Sequence, residues 1–566
     1  MNRQQPGEPN KPDGDAPVPV AATAAAEPGD TTPRAHWRAA IVWGVLAVAA
    51  VIVGIVIGVL LRAGSDGRQG GEASVVATQH GSGTTVTLPG YYGDNMVFQR
   101  DAPLTVHGTV NAAPSAHAGD RTRRAVFDAF NVRAVSADGT KEAVTYVGDD
   151  GAFTAEFTPT AGSTTPYVIE FRDGTTPVRV LANVVFGDVF LAAGQSNMEL
   201  NVDQYYGDAD ARQRNLGGRF TMDDLPDPVV DADVRFVAAD RVGGDVGFPA
   251  RAVTNGRWLP AQDAEHVRAM SLLAQQFAAR VRQAQPQIPV GVVQTAWGGT
   301  GIARHEADGD IYASHIKPLR GLRVAGVLWY QGCNDAARTA DVDAYTQRMV
   351  ALINQYREDF GDDDLPFLYV QLARYATDTD FRGIRQRQLD VLGDEGLANR
   401  DHVAMTVAID TDKGTEAVIH PLGKDVLGAR MAAQWLAMAH DEAVPNGPII
   451  EEATTVAAKP GTVRLRFADG SADALNVRMP RRDAGAGVES IATPTDGSPE
   501  GFEVAGADGD FVPSRATIDG DAVVLQSDRV DAIRAVRYLY ANDPQARRLL
   551  YNDVLPASPF VIDVTR

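Results

Sequence analysis

The chain has 566 residues, 44% of them hydrophobic and 22% charged, the proportions of a globular protein long enough for about three to four domains. A formal net charge of −21 argues against a nucleic-acid partner, because meeting phosphates needs clustered Lys and Arg. A single cysteine, Cys333, excludes an intrachain disulfide, a cysteine-based zinc site and a redox pair.

Residues 1–36 are rich in Pro, Ala, Asp and Glu and nearly lack large apolar side chains, so they cannot offset the entropy of ordering and are predicted to be a disordered cytoplasmic tail. Ala39 to Leu61 is an uncharged, almost wholly apolar run, long enough to cross a hydrocarbon core, with no small-residue cleavage site after Leu61. It predicts a signal anchor over residues 37–62, with the remainder outside the cytoplasm at the cell membrane. Arg34, His36 and Arg38 before the run, against Arg62 and Arg68 after it, favour that orientation only slightly. Residues 63–74 read as a Gly-rich linker.

From 75 to 185 short alternating runs such as Leu104-Thr105-Val106-His107 and Tyr167 to Phe171 predict a β-sandwich-like domain, with Ala112 to Arg124 as a polar loop. Between 186 and 445 the pattern changes. Apolar runs at Val184–Phe190, Val290–Val293, Val324–Tyr330, Phe367–Leu372 and Val403–Ile409 read as buried strands. Helical faces lie between them, Leu272-Leu273-Phe277-Val281 and Tyr345-Met349-Ile353-Tyr356. This alternation predicts a parallel sheet covered on both faces. The polar connection from Asp203 to Phe248 is long enough to shape a cleft. From 446 to 566 alternation returns, predicting a C-terminal β-rich domain.

A parallel sheet presents functional groups at the carboxyl ends of its strands. Ser196 stands there, in Gly194-Gln195-Ser196-Asn197-Met198, where Gly194 permits a tight turn. Serine is also a favoured helix cap, and this segment alone does not separate nucleophile from cap. Three further strand-end segments add a glycine pair (Trp297-Gly298-Gly299-Thr300), side-chain amides (Gln331 and Asn334 in Trp329–Asp335) and a histidine (His420-Pro421). Serine, oxyanion donors and a base are the parts of an acyl-transfer site.

Gly-Gln-Ser-Asn-Met, Trp-Gly-Gly-Thr, Trp-Tyr-Gln-Gly and Ile-His-Pro-x-x-Lys together resemble the motif set of the sialate O-acetylesterase family, within the SGNH hydrolases. The likeness extends to Asp94–Arg100, Val185–Val189, Val536-Arg537-Tyr538, Asn542-Asp543-Pro544 and Leu555–Phe560, covering roughly residues 84–563 in the family's order. The resemblance implies an SGNH-type, flavodoxin-like α/β domain flanked by β-rich domains. It implies a carbohydrate O-acetylesterase acting on O-acetylated sialic acid or another acetylated glycan, with Ser196 as nucleophile and His420 as general base. The oxyanion donors it implies come from Ser196 N–H, Gly298 or Gly299, and Gln331 or Asn334. No cofactor or metal is implied.

Two departures bear on the base. Position 417 is alanine where the superfamily has aspartate, and Cys333 replaces the family's glutamate. The group orienting His420 is then a backbone carbonyl, or one of Asp410, Asp412 and Glu416, or Asp335. An acetylxylan or other polysaccharide deacetylase and a sugar-binding pseudoenzyme are the competing readings.

Overall fold

The computed structural model describes residues 83–112, 120–206, 226–238, 257–414 and 419–565, apart from Ala458, Asp483, Ala484 and Val554. The expected tail, membrane anchor and linker lie outside the described residues. Among the described residues no helix is long and apolar enough to cross a membrane.

The apolar run around Phe190 is the second half of one long strand, Thr176–Gly194, taken as β1. Its first half alternates between buried and exposed residues, whereas every residue from Val184 to Gly194 is buried. The sequence changes there from alternation to a continuous apolar run because the strand leaves a half-solvated sheet for one covered on both faces. The boundary expected between residues 185 and 186 therefore falls inside a continuous strand.

The other strands of the central layer are β2 (Asp231–Ala238), β3 (Leu259–Ala261), β4 (Val290–Gln294), β5 (Gly326–Tyr330), β6 (Phe367–Gln371) and β7 (Val403–Val407). Their order across the sheet is β3-β2-β4-β1-β5-β6-β7. All neighbours are parallel except β3, which is antiparallel to β2. Without the β2–β3 edge, the chain winds outward from β1 in both directions, first to β4 and then to β5, β6 and β7, in the flavodoxin-like order. The order reverses beside β1, and such a switch point leaves a crevice above the carboxyl ends of the strands.

Five helices matter here: α1 (Ser196–Glu199), α2 (Leu272–Ala284), α3 (Thr339–Phe360), α4 (Phe381–Asp390) and α5 (Lys424–Ala439). Phe190 packs edge-on against Phe277 of α2 and Trp435 of α5, at 4.8 and 4.9 Å between ring centroids. Trp329 and Phe367 meet Tyr356 of α3, at 6.4 and 6.1 Å. Trp329 points away from Phe190's side of the sheet, because it pairs in register with Ala193, three residues along β1. Both faces are thus covered, as the sequence predicts.

The N-terminal β-rich part packs one sheet, containing Leu104–Asn111 and Ala152–Phe157, against another that joins Phe130–Ser136 and Ser163–Asp173 to the first half of β1. Phe153 bridges them, 4.8 Å from Phe130 and 5.9 Å from Phe171. The predicted loop at 112–124 is partly a helix, Asp120–Ala129; residues 113–119 lie outside the described residues. The Asp94–Arg100 motif is a joint. Val97–Gln99 pairs with Val185–Gly187, Gln99 Oε1 accepts Val189 N–H at 2.9 Å, and Arg100 pairs with Asp188 at 2.8 Å.

The C-terminal strands form three four-stranded sheets. They grip the carboxyl ends of β6 and β7. Tyr375 N–H donates to Asn542 O at 3.0 Å, Gln371 Nε2 to Ser558 Oγ at 2.8 Å, and Tyr551 OH to Asp410 at 2.9 Å.

Candidate active site

β1 delivers Ser196 to the switch point through a turn that only glycine fits. Gly194 has φ +117°, and a Cβ there would stand 2.5 Å from Tyr330 O on the neighbouring strand. Backbone bonds pin the turn on both sides: Gln195 N–H to Tyr330 O and Trp297 N–H to Gly194 O, both 2.9 Å. Gln195, in extended conformation, is the residue that precedes α1, so Ser196 is the first helical residue and not its cap. Its hydroxyl serves something else. Ser196 Oγ lies 2.8 Å from His420 Nε2.

His420 stands on the segment between β7 and α5, 224 residues away in the chain. It is half-buried, with the Tyr205 ring edge-on to it at 6.2 Å. Burial, helped by the nearby Lys424 ammonium, holds its imidazole well below the ordinary histidine value. The ring is therefore neutral near pH 7 and able to accept the serine proton.

Asn197, buried beside the nucleophile, ties three loops together. Its Nδ2 donates to Ile419 O at 3.1 Å and approaches Cys333 Sγ at 3.8 Å, and its Oδ1 accepts from Lys424 Nζ at 2.5 Å. Gln195 does similar work toward the β5 loop, its Oε1 accepting Gly332 N–H at 3.0 Å and Asn334 N–H at 3.4 Å. Neither is a reactive group, so the motifs do not single them out, although they flank Ser196. The available signal was polar residues in a segment that the apolar run buries on both sides.

The expected oxyanion donors separate. Gly298 N–H is taken by Glu199 Oε2 at 2.7 Å, so the structure removes it from that role. Gly299 is exposed, at φ +73°, and a Cβ there would meet nothing within 4 Å, so the turn is uncrowded on that side. Gln331 is fully buried: its Nε2 donates to Thr300 O at 3.0 Å and to Asp335, and its Oε1 accepts from Tyr345 OH at 2.9 Å. It holds the β5 loop to the Gly298–Thr300 turn and is not a donor to substrate. Asn334 is exposed on the same loop. Gly299 and Asn334 remain.

The carboxylates expected to orient His420 are mostly engaged elsewhere. Asp410 forks on Arg430 at 2.8 and 2.6 Å and also accepts from Tyr551 OH, fully buried, so it serves the joint with the C-terminal sheets. Asp412 accepts from Arg374 Nε at 2.6 Å and from Gly414 N–H at 2.7 Å. Asp335 accepts Ile302 N–H at 3.1 Å, and burial pushes its carboxyl up to about 6. Glu416 lies outside the described residues. Cys333 is buried, with its thiol pushed up to about 12, as suits a small packing residue and not a nucleophile. Among the described residues no three His, Cys, Asp or Glu side chains are grouped to hold a metal ion.

A doubly wound α/β layer with a bonded Ser–His pair at its switch point fits a hydrolase, and the comparisons with known proteins show which hydrolases it is similar to. Residues 251–437 match the model of the family described as carbohydrate esterase, sialic acid-specific acetylesterase. A crystal structure of a carbohydrate acetylesterase from Xanthomonas citri superposes with a TM-score of 0.64 at 28% identity, over 84% of this chain and 99% of that one. Both likenesses are to carbohydrate esterases. Within that class the similarity extends to sialate O-acetylesterases, the family whose motifs the sequence resembles. Human sialate O-acetylesterase is 24% identical over 329 residues, which are 50% of this chain and 60% of the human protein, so the chain spans less than two thirds of that relative. A probable carbohydrate esterase of Arabidopsis thaliana is 34% identical over 89 residues, 15% of this chain and 34% of the plant protein.

Proposed function

We propose that the protein removes O-acetyl groups from sugars, with O-acetylated sialic acid as the principal substrate, through an acetyl-Ser196 intermediate. The observation that carries this reading is the 2.8 Å contact between Ser196 Oγ and His420 Nε2 at the carboxyl end of β1. Ser196 Oγ attacks the acetyl carbonyl as His420 Nε2 takes its proton. The oxyanion is met by Ser196 N–H, Gly299 N–H and the Asn334 side-chain amide. Collapse breaks the ester bond, and the His420 proton passes to the departing sugar oxygen. Water, deprotonated by His420, then releases acetate and restores the serine. The intact Ser–His contact favours this reading over a sugar-binding pseudoenzyme.

The substrate is tested by acetate release from O-acetylated sialic acid and from acetylated xylan in parallel. Faster release from the sialate supports the proposal; faster release from xylan makes the protein a polysaccharide deacetylase. We further propose that Ala39 to Leu61 anchors the chain in the cell membrane with the esterase outside the cytoplasm. Protease added to intact cells digests the esterase part if so, and leaves it whole if not.

A further inference from the structure

Lys424 is the one residue of Ile419-His420-Pro421-Leu422-Gly423-Lys424 whose position contradicts local preference. It opens α5, where the partial positive charge of the helix N-terminus disfavours a cation, and it is fully buried, which disfavours one further. Among the described residues no carboxylate pairs with it; its partners are Asn197 Oδ1 at 2.5 Å and the face of the Tyr330 ring, 5.0 Å from the centroid. A residue that breaks local rules at such cost beside a reactive pair is a candidate for function.

We infer that Lys424 is a positioning residue of the acyl-transfer site: through Asn197 it straps the loop that carries His420 to the turn that carries Ser196. The connection is continuous. Lys424 Nζ fixes the Asn197 amide, Asn197 Nδ2 fixes Ile419 O, and Ile419 and Asn197 are the immediate chain neighbours of His420 and Ser196. The amide has one oxygen and one nitrogen to offer, and Lys424 and Ile419 fix which way it faces. The ammonium also acts on the ring it helps to place, adding to the burial that lowers His420 basicity. The titratable groups around it are Cys333 and Tyr330 from the β5 strand and loop and His420 from its own connection, while Tyr205 from the Val202–Tyr206 helix faces the His420 ring. Burial lowers Lys424 itself to about 7.

The inference rests on the acyl-transfer reading, so its test has a readout independent of turnover. In histidine-labelled full-length protein, the His420 titration midpoint is followed by NMR in wild type, Lys424→Met and Asn197→Ala, alongside kcat and KM on p-nitrophenyl acetate. Lys424→Met is expected to lower kcat about 100-fold with KM little changed, the cost of a small misplacement of reacting groups. Losing the neighbouring charge is expected to raise the His420 midpoint. Asn197→Ala keeps the charge and cuts the strap, so kcat falls by a similar factor while the midpoint stays near wild type. Near-UV circular dichroism checks each fold, and if Lys424→Met does not fold, Asn197→Ala carries the test of the strap. Wild-type kcat in folded Asn197→Ala, or an unmoved kcat and midpoint in folded Lys424→Met, overturns the inference. Ser196→Ala in the same assay reports on the reaction alone: if it keeps the wild-type rate while Lys424→Met moves the His420 midpoint, the acyl-transfer reading falls and the placement of Lys424 beside His420 stands.

Discussion

Glu199 Oε2 accepts the Gly298 N–H at 2.7 Å, which fastens the end of the nucleophile helix to the turn after β4. A Cβ on Gly298 would fall 2.8 Å from that oxygen and 3.2 Å from Ser196 Cβ, so the turn approaches the carboxylate and the serine too closely for a side chain at 298. Glu199→Ala releases the turn that presents Gly299. A charge-assisted hydrogen bond of this kind is worth about 1.5–3 kcal/mol, so kcat on p-nitrophenyl acetate should fall about 10- to 100-fold. An unchanged kcat in the folded variant would mean that the turn needs no such tie.

Asn334 and Gln331 sit three residues apart on the β5 loop and should fail in different ways. Asn334→Ala removes an exposed amide donor on the β5 loop, and kcat should fall about 100- to 1,000-fold with the thermal midpoint unmoved. Gln331→Ala breaks buried hydrogen bonds to Thr300 O, Tyr345 OH and Asp335, and should cost about 1–3 kcal/mol in urea unfolding. Reversed outcomes would exchange the two roles.

The buried pair Asp410–Arg430 belongs to the fold. Asp410→Asn leaves the Arg430 guanidinium uncompensated in a fully buried site, so stability should drop by about 3–5 kcal/mol while the folded fraction keeps most of its kcat. A large loss of kcat without a loss of stability would return Asp410 to the side of His420.

Much of this was legible in the sequence, and what was missed has a common cause. Period and length alone mark the strands around Phe190, Val292, Leu328, Leu368 and Met405, because a strand buried on both faces must be continuously apolar. Ser196 and His420 are legible because each follows such a strand. Partner choice is not. Asp410, Asp412, Gln331 and Gly298 each carry the right chemistry at the right strand ends, yet Arg430, Arg374, Asp335 and Glu199 claim them. These partnerships join residues from 4 to 99 positions apart. No local pattern encodes such distances. The helix at Asp120–Ala129 was hidden by its shortness and polarity, since its apolar face is little more than Val126 and Phe127, which pack against the core.

The pH dependence follows from the direction of the His420 shift. Turnover needs the imidazole unprotonated, and burial with Lys424 makes it harder to protonate than an ordinary histidine at 6.5. The acid limb of kcat/KM should therefore lie clearly below pH 6.5, not at it. A separate change near pH 6 would trace to Asp335, and Asp335→Asn should remove it. An acid limb at or above 6.5 that Asp335→Asn leaves in place would show that some group raises the His420 basicity more than burial lowers it.

The central claim is that Ser196 attacks the acyl group with His420 as its base. It is tested most directly by reacting the protein with diethyl p-nitrophenyl phosphate and mapping the labelled peptide. One phosphoryl group on Ser196, loss of esterase activity in proportion to labelling, and much slower labelling of His420→Ala are expected. Labelling at another residue with Ser196 unmodified, or full esterase activity in Ser196→Ala, would contradict it.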